Sequence, residues 1–121
     1  MRALLVECHD GNARTVAGWL KVGNISTQPA HHVDDAVEFL RAYHYDVAII
    51  GNLPANATAA GLVRHVRRLK IGTPAVVVSP VADRSAKVEA FDAGADDYVT
   101  TPIERDEFLA GNTLARLAVM D

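Results

Sequence analysis

The sequence has a single cysteine, Cys8, so it cannot form a disulfide within the chain. Such cysteine usage is typical of a reducing compartment, and we expect a cytoplasmic protein. The apolar runs are only a few residues long, well below the ~18 residues of a membrane-spanning helix. The first apolar run is also too short for a secretory signal peptide with its cleavage site. These absences predict a protein that has neither disulfides nor contact with a membrane.

Positive charge is not in excess either. The 12 Lys and Arg residues against 15 Asp and Glu residues give a net charge of -3, which disfavours a strongly basic nucleic-acid-binding module. Aromatic residues make up only 6% of the chain, but 50% of all residues are hydrophobic and 22% are charged. This composition is too apolar for a disordered chain. At 121 residues, the sequence predicts one packed domain over residues 1–121.

Short continuous apolar runs are spaced along the chain, as expected for strands that are covered on both faces. The strand candidates are, in order, residues 3–6, 25–27, 47–50, 75–78 and 98–99. The second is short and polar, as an edge strand would be, and the fifth is weak. Helical patterns separate the candidates, so the order β-α repeated five times predicts an α/β fold. We expect a three-layer, doubly wound parallel sheet with helices on both faces.

The segments between the strands carry apolar residues at the three- and four-residue spacing of amphipathic helices. The expected helix N-caps are Asn12, Thr58 and Asp83, and Gly94 is the expected end of the fourth helix. We expect the third helix to turn inward Ala59, Leu62, Val63, Val66 and Leu69. Its opposite face, which we expect to be solvated, carries Arg64, His65, Arg67, Arg68 and Lys70. The fourth helix is expected to turn inward Ala86, Ala90, Phe91 and Ala93, and a fifth helix is expected from about Ile103 to Met120.

Ligands bind doubly wound sheets at the carboxyl ends of the strands. The residues that follow the predicted strands there include Glu7, Cys8, His9, Gly51, Ser79 and Thr101. Asp46 opens the third strand instead, so we expect it at the opposite end of the sheet, ~16 Å from Gly51.

Residues 87–102 resemble the A-G-A-D-D-Y-x-x-K-P signature of response-regulator receiver domains, with Thr101 in place of the lysine. Residues 45–54 are similar to the third strand and following loop of the same family. The opening, residues 1–7, resembles the receivers that are joined to winged-helix DNA-binding domains, the OmpR/PhoB subclass. The resemblance covers nearly the whole chain and implies a flavodoxin-like (βα)5 fold with strand order 2-1-3-4-5.

The resemblance also implies a phosphorylation site, most of which this sequence lacks. Ordinary receivers accept a phosphoryl group on an aspartate after the third strand, beside two magnesium-binding acids, a hydroxyl residue and a lysine. The positions that match these five residues hold, in the same order, Gly51, Glu7 and Cys8, Ser79, and Thr101. We therefore expect a degenerate pocket with no catalytic residue, no metal and no cofactor. Ser79 and Tyr98 match the family's switch pair, and we expect them to keep one fixed packing.

The fourth helix, fifth strand and fifth helix form the usual dimer face of winged-helix-linked receivers. The resemblance places on this face Lys87, Val88, Phe91, Asp96, Asp97, Glu107 and Gly111. Gly111 stands where the family has an arginine, so part of the ion-pair network is absent. Because exposed ion pairs contribute only ~0–1 kcal/mol each, we expect a homodimer that rests on apolar contacts.

We expect a non-enzymatic domain that acts in signal transduction and transcription regulation through protein–protein contact, without phosphorylation. DNA binding would then reside in a separate C-terminal winged-helix domain. The first alternative is a stand-alone adaptor for a kinase, phosphotransferase or protease, and a less favoured one is a ligand sensor or enzyme that uses Cys8. A zinc site formed by Cys8, His9, His31 and His32 is geometrically conceivable but lacks the usual ligand spacing.

Overall fold

The computed structural model describes residues 1–7, 9–54, 57–79 and 83–100, without the side chains of residues 10–13 and 19. Strands and helices alternate through the described residues. They are β1 (Arg2–Val6), α1 (Asp10–Val22), β2 (Ser26–Ala30), α2 (Val33–Ala42), β3 (Val47–Ile50), α3 (Ala59–Arg68), β4 (Ala75–Ser79), α4 (Arg84–Ala93) and β5 (Asp97–Thr100). The predicted fifth helix lies outside the described residues. Among the helices described, none combines the length and apolarity needed to cross a bilayer.

The five strands form one parallel sheet in the order β2-β1-β3-β4-β5, which confirms the predicted fold class and strand order. Every residue of β3 is buried, which explains why its sequence is continuously apolar rather than alternating. The edge strand β2 is longer than predicted and runs on to Ala30, paired throughout with β1. Pro29 is accommodated there because an edge strand has a neighbour on one side only.

Hydrophobic residues pack against the sheet on both faces. One core contains Leu4, Val6 and Ile50 together with buried residues of α2, α3 and α4. The other contains Leu5, Ile49 and residues of α1 such as Leu20. Alternate residues of each central strand therefore enter opposite cores, as the two-residue period of a strand requires, and the domain has three layers.

The ends of α3 and α4 follow the sequence signals. The backbone N–H of Gly61 donates to Thr58 Oγ1 (2.9 Å), and that of Ala86 donates to Asp83 Oδ1 (2.7 Å). Both N-cap predictions are thus confirmed. Gly94 has a φ of 112°, in the left-handed region that a helix end favours for glycine, which confirms the predicted stop.

The predicted N-cap of the first helix was wrong. Helix α1 begins at Asp10, so Asn12 lies inside its first turn rather than before it. An acidic residue such as Asp10 is favourable at the start of a helix, because the N-terminal end of a helix carries a partial positive charge. The helix therefore begins almost directly after the loop that follows β1.

Two inward-facing predictions also need correction. Leu69 is exposed: α3 ends at Arg68, and Leu69 is its C-cap residue. Phe91 is 47% exposed, whereas Ala90 and Ala93 of the same helix are buried. Positions 90 and 93 define the inward stripe of α4, and Phe91 lies about 100° around the helix from Ala90. The phenyl ring is therefore presented on the outer side of α4.

Arg67 is the exception on the basic side of α3, where its four predicted companions are exposed as expected. Its guanidinium is half-buried and donates to the carbonyl oxygens of Ile71 (2.8 Å) and Thr73 (2.9 Å). It also donates to the carbonyl oxygen of Gly94 (3.1 and 3.2 Å) and to the Asp96 carboxylate (3.1 Å). A planar guanidinium with several N–H donors can bind these four acceptor groups at the same time. Arg67 thus ties the end of α3 to the α4–β5 connection, which the prediction of a solvated side chain missed.

Candidate functional site at the carboxyl ends of the strands

The fold brings three of the predicted pocket residues to one edge of the sheet. Glu7 follows β1 and Gly51 follows β3, and these strands pair with Val6 opposite Ile50. Ser79 ends β4, the next strand of the sheet. The two other predicted members, Cys8 and Thr101, lie outside the described residues.

Glu7 is buried at this edge, with only 5% of its surface exposed. Both carboxylate oxygens accept backbone hydrogen bonds: the N–H of His9 donates to Oε1 (3.1 Å) and the N–H of Asn52 donates to Oε2 (3.0 Å). The backbone of Glu7 is also held, because its N–H donates to the carbonyl oxygen of Ala30 (3.1 Å). A buried charge needs such partners, since an unpaired one costs several kcal/mol. The carboxylate is therefore fixed in place across the end of β3.

The Glu7 carboxylate fills the space beside Gly51. A Cβ atom added to Gly51 would overlap Glu7 Oε2 and lie 3.0 Å from Glu7 Cδ. Meanwhile the N–H of Gly51 donates to the carbonyl oxygen of Val6 (2.8 Å), so the backbone stays in the sheet pairing. Gly51, which the resemblance predicts at the position of the acceptor aspartate, has no side chain, and the carboxylate of Glu7 lies in the space beside it. The sequence predicts that the aspartate side chain is absent here, but it does not indicate that the Glu7 carboxylate fills the space.

Ser79 and Tyr98, the residues predicted as a switch pair, line one cavity of about 440 Å³. This cavity lies between the end of β4, the start of α3 and the inner side of α4. Its remaining walls are largely apolar and include several alanines, among them Ala59, Ala86 and Ala90. Both predicted switch residues are half-buried. Ser79 and Tyr98 thus lie around the same cavity, as expected for the family's switch pair. That they keep one fixed packing stays a prediction.

Asp46 lies far from this edge, as expected. It precedes β3, and its Oδ2 accepts a hydrogen bond from the backbone N–H of Arg2 (2.6 Å) at the opposite end of the sheet. The four residues Val47–Ile50 separate it from Gly51, which corresponds to a distance of ~16 Å along an extended strand. Asp46 is therefore not a substitute for the missing aspartate.

The described residues do not supply a ready magnesium site. Both Glu7 oxygens already accept N–H bonds, and Gly51 offers no side-chain ligand. The described residues contain no group of three or more His, Cys, Asp or Glu side chains placed to hold a metal ion. His31, weighed as a zinc ligand, has its Nδ1 3.1 Å from the carbonyl oxygen of Glu7. The hypotheses that involve Cys8 fall outside the described residues.

On the predicted dimer face, Val88 and Phe91 are exposed, each at 47%. Asp96, in contrast, is paired within its own chain: its Oδ2 accepts from Arg67 (3.1 Å) and from the N–H of Ala75 (2.8 Å). The Asp96 carboxylate is thus engaged by groups of its own chain, and its expected place on the dimer face stays a prediction. The other members of the face comprise Lys87 and Asp97, which are half-buried, and Glu107 and Gly111, which lie outside the described residues.

The doubly wound sheet, with its acidic residue after β1 and hydroxyl residue at the end of β4, has the arrangement that the resemblance to receiver domains predicted. The family described as "Response regulator receiver domain" matches residues 3–111. The chain therefore belongs to the response regulator receiver domain family of two-component signalling, as the sequence resemblance predicted.

Individual relatives agree with this assignment. The chain is 32% identical over 111 residues to the cell cycle transcriptional regulator CtrA of Caulobacter vibrioides, covering 91% of this chain and 48% of that protein. It is 30% identical over 110 residues to the transcriptional regulatory protein DltR of Streptococcus agalactiae, covering 91% and 49%. The chain spans about half the length of these curated relatives.

Solved structures show the same fold. A two-component response regulator from Clostridium difficile superposes with a TM-score of 0.88, covering 98% of this chain and 96% of that one at 18% identity. The receiver domain of the Francisella response regulator 1452 gives a TM-score of 0.85 and 23% identity, covering 98% of this chain and 94% of that one. At these identities the likeness supports the fold alone.

Proposed function

We propose that this receiver domain signals without aspartyl phosphorylation, through protein–protein contact that includes its own dimerisation. The observation that carries the proposal is the end of β3. There the residue matching the acceptor aspartate is Gly51, and the neighbouring space is filled by the Glu7 carboxylate.

Phosphoryl transfer to a receiver requires a carboxylate oxygen that can attack phosphorus in line with the leaving group. Gly51 has no side chain, and Asp46 lies at the other end of β3. Glu7 is the carboxylate nearest this point among the contacts described, but both of its oxygens accept backbone N–H bonds and its side chain is buried. The Glu7 carboxylate is therefore not an accessible nucleophile at the end of β3.

The electrostatic environment supports the same proposal. A phosphoryl group and its magnesium ion need ligands and cations arranged before the reaction. Both Glu7 oxygens already accept a backbone N–H bond, and the sequence has Thr101 where the family has its lysine. Incoming phosphate would also meet the negative charge of Glu7 at close range, which disfavours its binding.

The output surface that we propose is the outer side of α4. Val88 and Phe91 present large apolar side chains there, and Lys87 lies beside them on the same helix. Apolar side chains that are exposed together indicate an interaction surface better than scattered ones, because contact between proteins would bury them. We propose that a second copy of this chain covers this surface. By the likeness to CtrA and DltR, we further propose that the domain regulates transcription through a separate DNA-binding part of a longer protein.

The phosphorylation part is tested by incubating the domain with magnesium and acetyl phosphate or phosphoramidate and then measuring its intact mass. A receiver with an intact acceptor aspartate serves as the positive control under identical conditions. We expect that control to gain one phosphoryl group and this domain to gain none. An acid-stable, base-labile adduct mapped to any Asp or Glu of this chain would contradict the proposal.

The dimer part is tested by light scattering over a range of protein concentrations. We expect Phe91→Ser to weaken self-association by about tenfold or more, because removing a central apolar anchor costs ~2 kcal/mol or more. Val22→Ser is the control, since Val22 is also an exposed apolar residue but lies away from this surface, at the end of α1. A wild-type monomer at all concentrations, or equal effects of the two variants, would refute this contact.

A further inference from the structure

We propose that the Glu7 carboxylate is a permanent intramolecular ligand of the pocket, one that replaces the absent side chain at position 51 and holds the end of β3 in a single state. The inference rests on the proposed function, because it explains how a receiver that takes up no phosphate keeps this edge of the sheet ordered. It goes further by assigning a role to Glu7, for which the family likeness suggests metal binding.

The first argument is spatial. A Cβ atom at position 51 would overlap Oε2, so the Glu7 carboxylate would have to leave the position in which its two backbone donors hold it. Gly51 does not have a positive φ, so its backbone conformation does not itself require glycine. The overlap with Glu7 is thus the reason that the structure gives for glycine at this position. Glu7 and Gly51 are therefore complementary: the Glu7 carboxylate fills the space that a side chain at position 51 would need.

The second argument concerns hydrogen bonds. The N–H of Asn52 emerges just after β3, where β-sheet pairing has ended, and it donates to Glu7 Oε2 (3.0 Å). The other oxygen accepts from the N–H of His9 (3.1 Å), in the loop after β1. One carboxylate therefore bridges the loops that follow two neighbouring strands. Charge-assisted bonds of this kind are stronger than bonds between neutral groups.

The third argument is burial. Among the side chains that the structure describes, Glu7 is the single charged one that is buried, with 5% of its surface exposed. Desolvation of a carboxylate is costly unless its lone pairs are used. The two backbone donors use one lone pair on each oxygen and keep the charge in a defined orientation.

The test is a double-mutant cycle between positions 7 and 51, measured by thermal unfolding. In the wild-type background we expect Gly51→Ala to lower the Tm by roughly 5 °C or more, because the carboxylate must move and lose its donors. In the Glu7→Ala background the same substitution should cost less than about 2 °C, since the space is then open. Equal losses in the two backgrounds would overturn the inference.

Two controls separate the spatial from the electrostatic contribution. Glu7→Gln keeps the shape of the side chain but removes its charge, so Gly51→Ala should remain costly in that background. Gly72→Ala places a methyl group where no atom lies within 4 Å, so its effect should be small and independent of residue 7. A Gly72→Ala effect that changes with residue 7 as much as that of Gly51→Ala would also overturn the inference.

Amide hydrogen exchange supplies a readout even where a variant at position 51 fails to fold. In Glu7→Ala alone, the Asn52 amide loses its acceptor and should exchange at least about tenfold faster, whereas amides inside β3 keep their rates. Unchanged exchange at Asn52 would contradict the role assigned to Glu7. The outcome is independent of the phosphorylation assay: a domain that takes no phosphate but shows no coupling between positions 7 and 51 refutes this inference alone.

Discussion

Substitution of Arg67 should reveal how much of the stability of the domain depends on one half-buried side chain. The guanidinium donates to three backbone carbonyl groups and to the Asp96 carboxylate. Its side chain is 25% exposed and that of Asp96 is 22% exposed, so solvent only partly screens the interaction. Arg67→Ala removes all these donors at once, so the carbonyl oxygens and the Asp96 carboxylate must bind water or lose a hydrogen-bond partner.

The magnitude follows from the partners. A hydrogen bond that involves a charged group contributes ~1.5–3 kcal/mol, but the four acceptor groups are partly accessible and recover some hydration. We expect a net loss of about 3 kcal/mol in the free energy of unfolding, which corresponds to roughly 10 °C in Tm for a domain of this size. Helix propensity adds little, because alanine and arginine are both good helix formers.

The assay is urea and thermal unfolding followed by circular dichroism. Arg64→Ala, on the exposed side of the same helix, is the matched control and should change stability by less than ~0.5 kcal/mol. Arg67→Lys keeps the charge but loses the planar set of donors, so it should show at least about half of the alanine effect. If Arg67→Ala were as mild as Arg64→Ala, the account of Arg67 as a structural tie would be refuted.

Three further predictions concern single positions. Gly94→Ala should destabilise the domain by at least ~1–2 kcal/mol in urea unfolding, because the φ of 112° strains any side chain and the new Cβ would lie 2.9 Å from Arg67 Cγ; a neutral effect would argue against this conformation. Thr58→Ala, which removes the acceptor of the Gly61 N–H, should cost ~1 kcal/mol by the same assay, and no loss would show that the cap is not formed in solution. Desolvation by burial raises the pKa of Tyr45 above its ordinary value of 10.0. As the pH rises, the unfolded chain therefore loses the Tyr45 proton before the folded domain does. The contribution of Tyr45 to stability thus declines above pH ~10. Tyr45→Phe should lack this part of the alkaline decline in unfolding midpoints, and a variant that declines in parallel with the wild type would contradict it.

Much of the fold was readable from local patterns. The continuous apolar runs at residues 47–50 and 75–78 reflect strands of a parallel sheet that is covered on both faces. Thr58 and Asp83 were recognisable as N-caps because a short oxygen-bearing side chain before an amphipathic segment has one common use. Strand order came from the family resemblance, since periodicity alone does not specify which strands are neighbours.

The features that sequence patterns missed depend on contacts between distant segments. Glu7 and Asn52 are 45 positions apart, and Arg67 and Asp96 are 29 apart. The helical period of α3 places Arg67 nearer the buried stripe than Arg64, but it does not show that the α4–β5 connection passes there and supplies the acceptors. For the site, the sequence showed which side chains are absent, but the direction of the Glu7 carboxylate is set by tertiary structure.

The central claim, that this pocket does not operate with a phosphoryl group, is tested most directly by adding beryllofluoride and magnesium to the isotopically labelled domain and following its amide spectrum. We predict no saturable shifts at Gly51, Asn52 or Ser79 under conditions that fully convert a receiver with an intact acceptor aspartate. Saturable shifts at those three amides, abolished when magnesium is withheld, would contradict the account.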